Sequence, residues 1–503
     1  MNAAPQAAST SPELSELRLR EVGVLLIVLP QHDALRAVEE AAFWLQAYRQ
    51  GLPDDAQRVY EVVDRVDDMV QPHRLRLLRD YLGQGGRMQT YRQRRMWRAA
   101  VTYANELGLA YSYCLKPLGT GSSNASKDMV ARIGARAVRA AALELRWTLL
   151  AYAPVDVTLW GRLGRLYRDC ERVGVATLRF KLYADMRTPS TVRREYLRAL
   201  VLAVSGMNNL LPAAQSAAER VVAALAELFI LRQSPAPGCH FVVDIDQGSA
   251  PQRGHVLQRV RDSHRYFGPG DASQILAAYL RQAREKGQLA PELGLPSGID
   301  LDMGIAVLEH LRRYWGMQPP ERGETRTSVL ANMHAAAGVD AAFTALCGEH
   351  SEEATESWIV ADESRHGLGV VVRGREDDPL AIGQLVAVHP ERPGPWAIGV
   401  IRRLEAKDAL YRSIGVQLLG RGAVAAGISD ADGGVQPVIL LPVPTEGAGP
   451  ASEVVLVMRG TTPLSQPVLH LHDQRYRLEF HATVDSGEGF EANRFALIGP
   501  ASA

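Results

Sequence analysis

Lysine is almost missing from this chain. Only five of its 503 residues are lysine, so nearly all the positive charge is arginine. Acidic and basic residues balance at 56 each, which leaves no net field to draw the protein to nucleic acid or to an anionic membrane. The arginine bias also means that short arginine motifs arise by chance more often here than in most sequences. Cysteine is scarce as well. Cys114, Cys170, Cys239 and Cys347 stand far apart, which argues against a zinc site or a disulfide framework and fits a reducing compartment. Near the start the longest apolar run is VGVLLIVL, residues 22–29, far short of the roughly 20 residues a bilayer requires. It follows the charged LRLREV and precedes no small-residue cleavage site, unlike a secretory signal. These absences predict a cytoplasmic protein with no membrane span. No nucleophile–base pairing is legible from spacing, and GTGSSN (119–124) lacks the G-K-[ST] ending of a phosphate loop, so no catalytic residue is assigned and the chain is read as a non-enzyme.

What is present divides along the chain. A hydrophobic content of 47% and a charged content of 22% are ordinary for a globular protein, and the length predicts roughly two to four domains. Residues 1–13, MNAAPQAASTSPE, read as a disordered start. From about 31 to 235 apolar residues recur three and four apart, as in YEVVDRVDDMVQPHRLRLLRDYL, the pattern of amphipathic helices. Within this region Trp160, Leu163, Gly164 and Tyr167 match the opening W-x-x-L-G-x-x-Y of a tetratricopeptide unit, and Ala176 and Phe180 fall where its second helix places small and aromatic residues. No sister unit follows at the repeat period, which favours an ordinary helical hairpin over an array. Stacked helices of either kind offer a surface for an unidentified protein partner. RMQTYRQRRMWR (87–98) gathers five arginines around Tyr91 and Trp97; a solvated helix face accounts for it better than nucleic-acid contact does, and no DNA partner is expected.

Residues 236–320 mix a short strand in PAPGCHFVVDIDQGSAPQRG with two helices, ASQILAAYLRQAREKG and DMGIAVLEHLRRYWG. Pro319 and Pro320 stop the second. Beyond residue 326 the period drops toward two. GLGVVVRG, IGQLVAVHP, PWAIGVIRRLE and SIGVQLLG are short, β-branched and punctuated by turn residues, as in a small antiparallel barrel or sandwich. VQPVILLPVP, SEVVLVMRG, PVLHLHD and RYRLEFHATV continue the pattern, either as a second β unit or as an extension of the first. The expected organisation is an α+β multidomain chain: a helical domain at 1–235, which the tetratricopeptide match leaves open as repeat-like, a mixed connecting segment at 236–320, a β-barrel at 321–425 and a C-terminal β unit at 430–503. HLHD (470–473) sets His470 and His472 on one strand face, and Asp244 and Asp246 lie in VVDIDQG. Neither pair supplies enough ligands for a metal site, and both read as ordinary strand and turn residues.

One stretch is unusual. In WIVADESRHGLGVVVRG (358–374) two strands are joined by a polar segment that carries Asp362, Ser364 and Gly367 at spacings of two and three. Upstream, RGETR sets Arg322 and Arg326 four apart. Alone the arginine pair means little, because Arg94/Arg98 and Arg132/Arg136 share its spacing. The order R-x-x-x-R, then [DN]-x-S-x-x-G between strands, then Trp396, Gly399, Arg402, Gly415 and Val416 in later strands, is far more specific.

Residues 320–420 thus resemble the PilZ domain, a six-stranded barrel. The resemblance implies binding of cyclic di-GMP through Arg322, Arg326, Asp362, Ser364 and Gly367, with no cofactor or metal. The gap from Arg326 to Asp362 is longer than the family pattern, and AAAGVDAAFTALCGEHSEEATES is expected to insert a helix or loop there. The residue types suit the ligand. An arginine fork pairs with guanine O6 and N7 or with phosphate oxygens, and its flat face stacks on a purine. A carboxylate such as that of Asp362 can accept from guanine N1–H and N2–H, and Ser364 can meet a phosphate or a base. A glycine at 367 allows close backbone approach or a positive φ. Arg365 or His366 can add a phosphate contact. Without a ligand the same segment reads as a β-turn in which Asp and Ser hydrogen-bond their own backbone. The leading reading is a cyclic di-GMP receptor that relays the messenger to the helical module. The alternative is a ligand-independent scaffold or chaperone-like adaptor with the barrel as its docking module.

Overall fold

The computed structural model describes residues 29–51, 55–83, 91–118, 126–184, 186, 188–254, 260–296, 298–318, 325–348, 355–374, 380–391, 394–408, 410–430, 434–443, 453–460, 465–487 and 489–500. Arg322, the loop GTGSSN and the run at 22–28 lie outside them.

Among the described residues seven α-helices come first: α1 (Ala34–Arg49), α2 (Ala56–Leu82), α3 (Tyr91–Leu118), α4 (Lys127–Leu150), α5 (Val157–Arg172), α6 (Val192–Val204) and α7 (Pro212–Leu225). Several begin where a short polar side chain can accept from free backbone N–H groups: Asp33, Asp55, Ser126, Asp156 and Thr191 each do so. Helix α2 buries Val59, Val62, Val63, Val66, Val70 and Leu77 along one face, the stripe that the sequence periodicity predicted. The tetratricopeptide comparison fails at its second half. Trp160, Leu163, Gly164 and Tyr167 are buried on α5, but among the described residues of 173–191 there is no helix, and Phe180 instead bridges Ser190. Gly164 has a different reason to be glycine: a Cβ there would lie 2.3 Å from the Ile245 carbonyl oxygen, where backbone meets backbone.

The segment after α7 holds more strand than its sequence announced. Strands β1 (Ile230–Arg232), β2 (Phe241–Asp244), β3 (Gln252–Arg253) and β4 (His264–Gly268) form an antiparallel sheet in the order β1-β4-β2-β3. β4, HRYFG, is wholly buried; its charged, non-alternating sequence hid it. Helices α8 (Ala272–Lys286) and α9 (Leu301–Trp315) follow. One continuous apolar core runs from Leu29, just ahead of α1, to Trp315 at the end of α9, so this sheet and its helices pack on the helical module itself.

Two closed six-stranded antiparallel barrels complete the chain. The first contains β5 (Thr327–Ala337), β6 (Glu356–Ser364), β7 (Gly367–Arg373), β8 (Leu385–Pro390), β9 (Ala397–Ala406) and β10 (Tyr411–Arg421), in the order β10-β7-β6-β5-β8-β9. Helix α10 (Val339–Leu346) fills the long Arg326–Asp362 gap, as the sequence led one to expect. The second barrel contains β11 (Val424–Ser429), β12 (Gln436–Pro442), β13 (Glu453–Arg459), β14 (Val468–Leu471), β15 (Gln474–Gly487) and β16 (Phe490–Pro500), in the order β11-β12-β13-β16-β15-β14. This settles the C-terminal region as a barrel of its own. Each barrel has its own interior core, and a third apolar cluster joins them, including Leu385, Ile398 and Val400 of the first and Ile439, Leu441 and Phe490 of the second. His470 is on β14, but His472 is in the following turn with φ 52°, so the two histidines do not share a strand face; the two-residue turn takes His472 off the ladder.

His310 of α9 is buried, its Nε2 lies 2.7 Å from the Ser205 carbonyl oxygen, and its ring stacks on Tyr314. Burial lowers its pKa below the usual 6.5, with Arg313 adding to the effect and the backbone contacts at Ser205 and Gly206 opposing it. His73 and His240 are lowered for the same first reason. The unfolded chain therefore takes up protons that the folded chain refuses, and stability falls as the pH drops below the ordinary histidine range. Thermal melting should decrease between about pH 7.5 and 5.5, and His310→Gln should flatten part of that slope.

Candidate functional site

The mouth of the first barrel faces the helical module across a cleft of about 970 Å³. Its barrel wall is built from the hairpin of β6 and β7 and from the adjoining strands β9 and β10. Asp362 and Ser364 lie at the end of β6 and Gly367 opens β7, with Ser364 paired to Gly367 and Asp362 to Gly369. A register shift between Val360 and Asp362 marks a bulge at this point, a common device for re-aiming side chains at barrel rims. Leu418 N–H donates to the His366 carbonyl at 2.9 Å, which pins the turn to β10.

Four of the five residues singled out from sequence converge here. Arg326, Asp362, Ser364 and Gly367 all line the cleft, and Arg326 forms an ion pair with Asp362. Arg322 lies outside the described residues. Gly367 does not have a positive φ, so of the two reasons considered for a glycine, close approach is the one that applies. A Cβ at 367 would sit 3.3 Å from both Arg326 Nη2 and Ser364 Oγ. Ser364 Oγ is 3.4 Å from the Gly367 carbonyl, a weak contact at the limit of hydrogen-bond length.

Other contributors were not assigned to the site from sequence. Gly369 faces Asp362 across the ladder, and a Cβ there would lie 2.4 Å from Asp362 Oδ1. Gly369→Ala should leave the barrel folded but push the Asp362 carboxylate off Arg326. Any ligand that relies on this corner should then bind about tenfold more weakly, the cost of roughly one charge-assisted hydrogen bond; calorimetric titration checks this. Arg402 and Arg403 of β9 bring two more guanidinium groups to the cleft. Arg402 donates to Gln417 Oε1 at 2.9 Å and pairs with Asp485 of the second barrel, and Arg403 pairs with Glu405. In the sequence Arg402 stands out only as part of the downstream strand pattern.

The opposite wall belongs to the helical module. Asn208, Asn209 and Tyr314 line it. Asn209 Nδ2 donates to Tyr314 Oη at 2.8 Å and to Asn208 Oδ1 at 2.9 Å. Burial raises the Tyr314 phenol pKa, and Arg313 and Arg403 oppose the rise. The two walls are tied directly: Ala406 N–H donates to the Tyr152 carbonyl at 2.9 Å, and Asn208 Nδ2 reaches Glu405 Oε2 at 3.5 Å. Periodicity could not locate this wall, because Asn208 and Asn209 sit in a single 3-10 turn (Met207–Asn209) between α6 and α7 and Tyr314 is one polar-tipped residue at a helix end.

Residues 20–236 match a family model described as the cyclic-di-GMP receptor FimW, N-terminal domain. The helical module is therefore similar to a domain of a cyclic di-GMP receptor. The matched segment contains helices α1 to α7 and includes Asn208 and Asn209 of the cleft wall. No curated protein matches the chain. Among the described residues no helix is long and apolar enough to cross a membrane.

Proposed function

We propose that the protein is a cyclic di-GMP receptor of the PilZ type, in which the ligand occupies the cleft between the first barrel and the helical module. The observation that carries this reading is the convergence of Arg326, Asp362, Ser364 and Gly367 on one cleft whose far wall includes Asn208 and Asn209 of the segment matched by the receptor model. Two independent pointers, one from each wall, lead to the same ligand.

The chemistry fits. A cyclic dinucleotide brings two phosphates and two guanines. Arg326, with Arg322 from the preceding arm, clamps it from one side, and Asp362 accepts from a guanine edge. Arg402 and Arg403 can keep one carboxylate each and still offer donors to phosphate, because a guanidinium carries five N–H groups. The cleft volume lies in the range of small-ligand sites. Arg326 rests on Asp362; both are about a third exposed, so this pair is a weak lock that ligand can displace.

Transmission follows from the shared cleft. A ligand bound between the walls favours whichever arrangement of barrel and helical module it contacts better, and it can shift the equilibrium only by that difference. Coupling of about 1–3 kcal/mol is typical. Calorimetric titration of cyclic di-GMP into the parent protein and into Arg322→Ala/Arg326→Ala tests the reading. A binding isotherm with the parent that is lost in the double variant supports it; no heat with the parent, or equal affinity in both, rejects it. A ligand-independent adaptor would instead capture the same protein partners with and without cyclic di-GMP.

A further inference from the structure

A second pocket lies inside the helical module, away from the cleft. Its walls carry Arg74 of α2, Arg139 and Arg146 of α4, and Arg198 of α6, against the carboxylates of Glu195 on α6 and Glu219 on α7. The carboxylates are almost fully buried and already engaged. Arg139 Nη1 donates to Glu195 Oε2 at 3.0 Å, Ser190 Oγ donates to its other oxygen at 2.6 Å, and Arg198 pairs with Glu219. Arg74 is drawn toward Asp67 at 3.3 Å, a carboxylate it shares with Arg136.

This leaves Arg146 short of partners. Its Nε and Nη2 are buried and make no hydrogen bond, although Nη2 stands 3.4 Å from Glu219 Oε2. That separation gives attraction without a directed bond. Burial lowers the Arg146 pKa, Glu219 opposes the effect, and the neighbouring guanidinium groups of Arg198, Arg220 and Arg139 add to it. Arg74, Arg139, Arg146 and Arg198 have side chains only 13–25% exposed and face three carboxylates, Glu195, Glu219 and, through Arg74, Asp67; positive charge so little exposed and left in excess is unfavourable unless an anion offsets it. Leu78, Leu143, Leu202 and Trp147 are the larger apolar part of the lining, beside the polar Gln71 and Tyr183; apolar walls of this kind strengthen ion pairing inside. The space is about 100 Å³, the share of roughly three waters. That suits one phosphate-sized anion and is too small for a cyclic dinucleotide.

We propose that this pocket is a binding site for a compact oxyanion, a phosphate group either free or carried as a monoester on a small molecule, with Arg146 as its central donor. Phosphate oxygens satisfy the open guanidinium nitrogens and join α2, α4 and α6 through one ligand. The site is separate from the barrel cleft and does not depend on it.

The test uses the full chain at constant ionic strength. Inorganic phosphate and glycerol 3-phosphate are titrated separately, with sodium chloride as the reference, and melting temperature and phosphorus NMR line width are recorded. A saturable rise in melting temperature and line broadening with either phosphate compound, absent with chloride, is the expected result; which compound binds tells whether the anion is free or esterified. Arg146→Gln should weaken binding by about tenfold or more, the loss of a charged hydrogen-bond partner. Leu75→Trp, at the half-exposed mouth of the pocket, should block entry with all four arginines intact, and it decides the matter if Arg146→Gln does not fold. Equal effects of phosphate and chloride, or parent-like binding in both pocket variants, would overturn the proposal.

Discussion

Arg326→Ala is expected to weaken cyclic di-GMP binding by about a hundredfold, because a clamping guanidinium contributes on the order of two charge-assisted hydrogen bonds. Arg326 is the described member of the arginine pair, and it already points into the cleft against Asp362. Removing it deletes a donor and leaves Asp362 without its cation. Arg326→Lys should not restore the affinity. Lysine keeps the charge but offers neither a planar fork for two acceptors nor a flat face for a purine. Calorimetry on both variants separates a charge requirement from a geometric one: affinity near the parent value for the lysine variant would contradict the clamp.

The second large effect concerns the base from which the arginine arm departs. Trp315 ends α9 fully buried, with its Nε1 donating to Ser205 Oγ at 2.9 Å and its ring edge-on to Phe229 at 5.0 Å. Arg253 caps the same helix end, donating to the carbonyls of Tyr314, Gly316 and Met317 at 2.8–3.0 Å. Trp315→Ala opens a cavity in the helical core, at a cost of about 3–5 kcal/mol, measurable by chemical denaturation. It also frees the end of α9 just before the arm that carries Arg322 and Arg326. If the arm relays ligand binding, the helical module of this variant should lose the stabilisation that saturating cyclic di-GMP confers on the parent. An undiminished ligand effect on the helical module would place the relay elsewhere, for example in the direct Tyr152–Ala406 contact.

The polar corner was legible because it breaks its context. Asp362, Ser364 and Gly367 interrupt two strands whose alternation is otherwise regular, and a barrel sequence has little reason for that combination at a fixed spacing. Gly369, one pairing step away, was not assigned because a glycine inside GLGVVVRG has no local signature; only the register that sets it under Asp362 reveals why a side chain is excluded. Strand β4 was missed for the opposite reason. HRYFG is short and charged, and its burial comes from neighbours far along the chain. The supposed helical hairpin at 160–180 shows the limit of motif reading, since Trp160, Leu163 and Tyr167 form a buried helical stripe whether or not a second helix follows.

Local features can be read directly along the chain: the amphipathic helices, the change to period-two strands after residue 326, and the amino acids at the barrel's polar corner. Each depends on side chains within a few residues of one another, where spacing alone sets which face they share. Folding in three dimensions sets the rest: a second barrel closes on itself, the cleft's far wall comes from Asn208, Asn209 and Tyr314, and four arginines from three helices meet in one pocket. Those outcomes rest on contacts between residues tens to hundreds of positions apart, and such contacts leave no periodic trace along the chain.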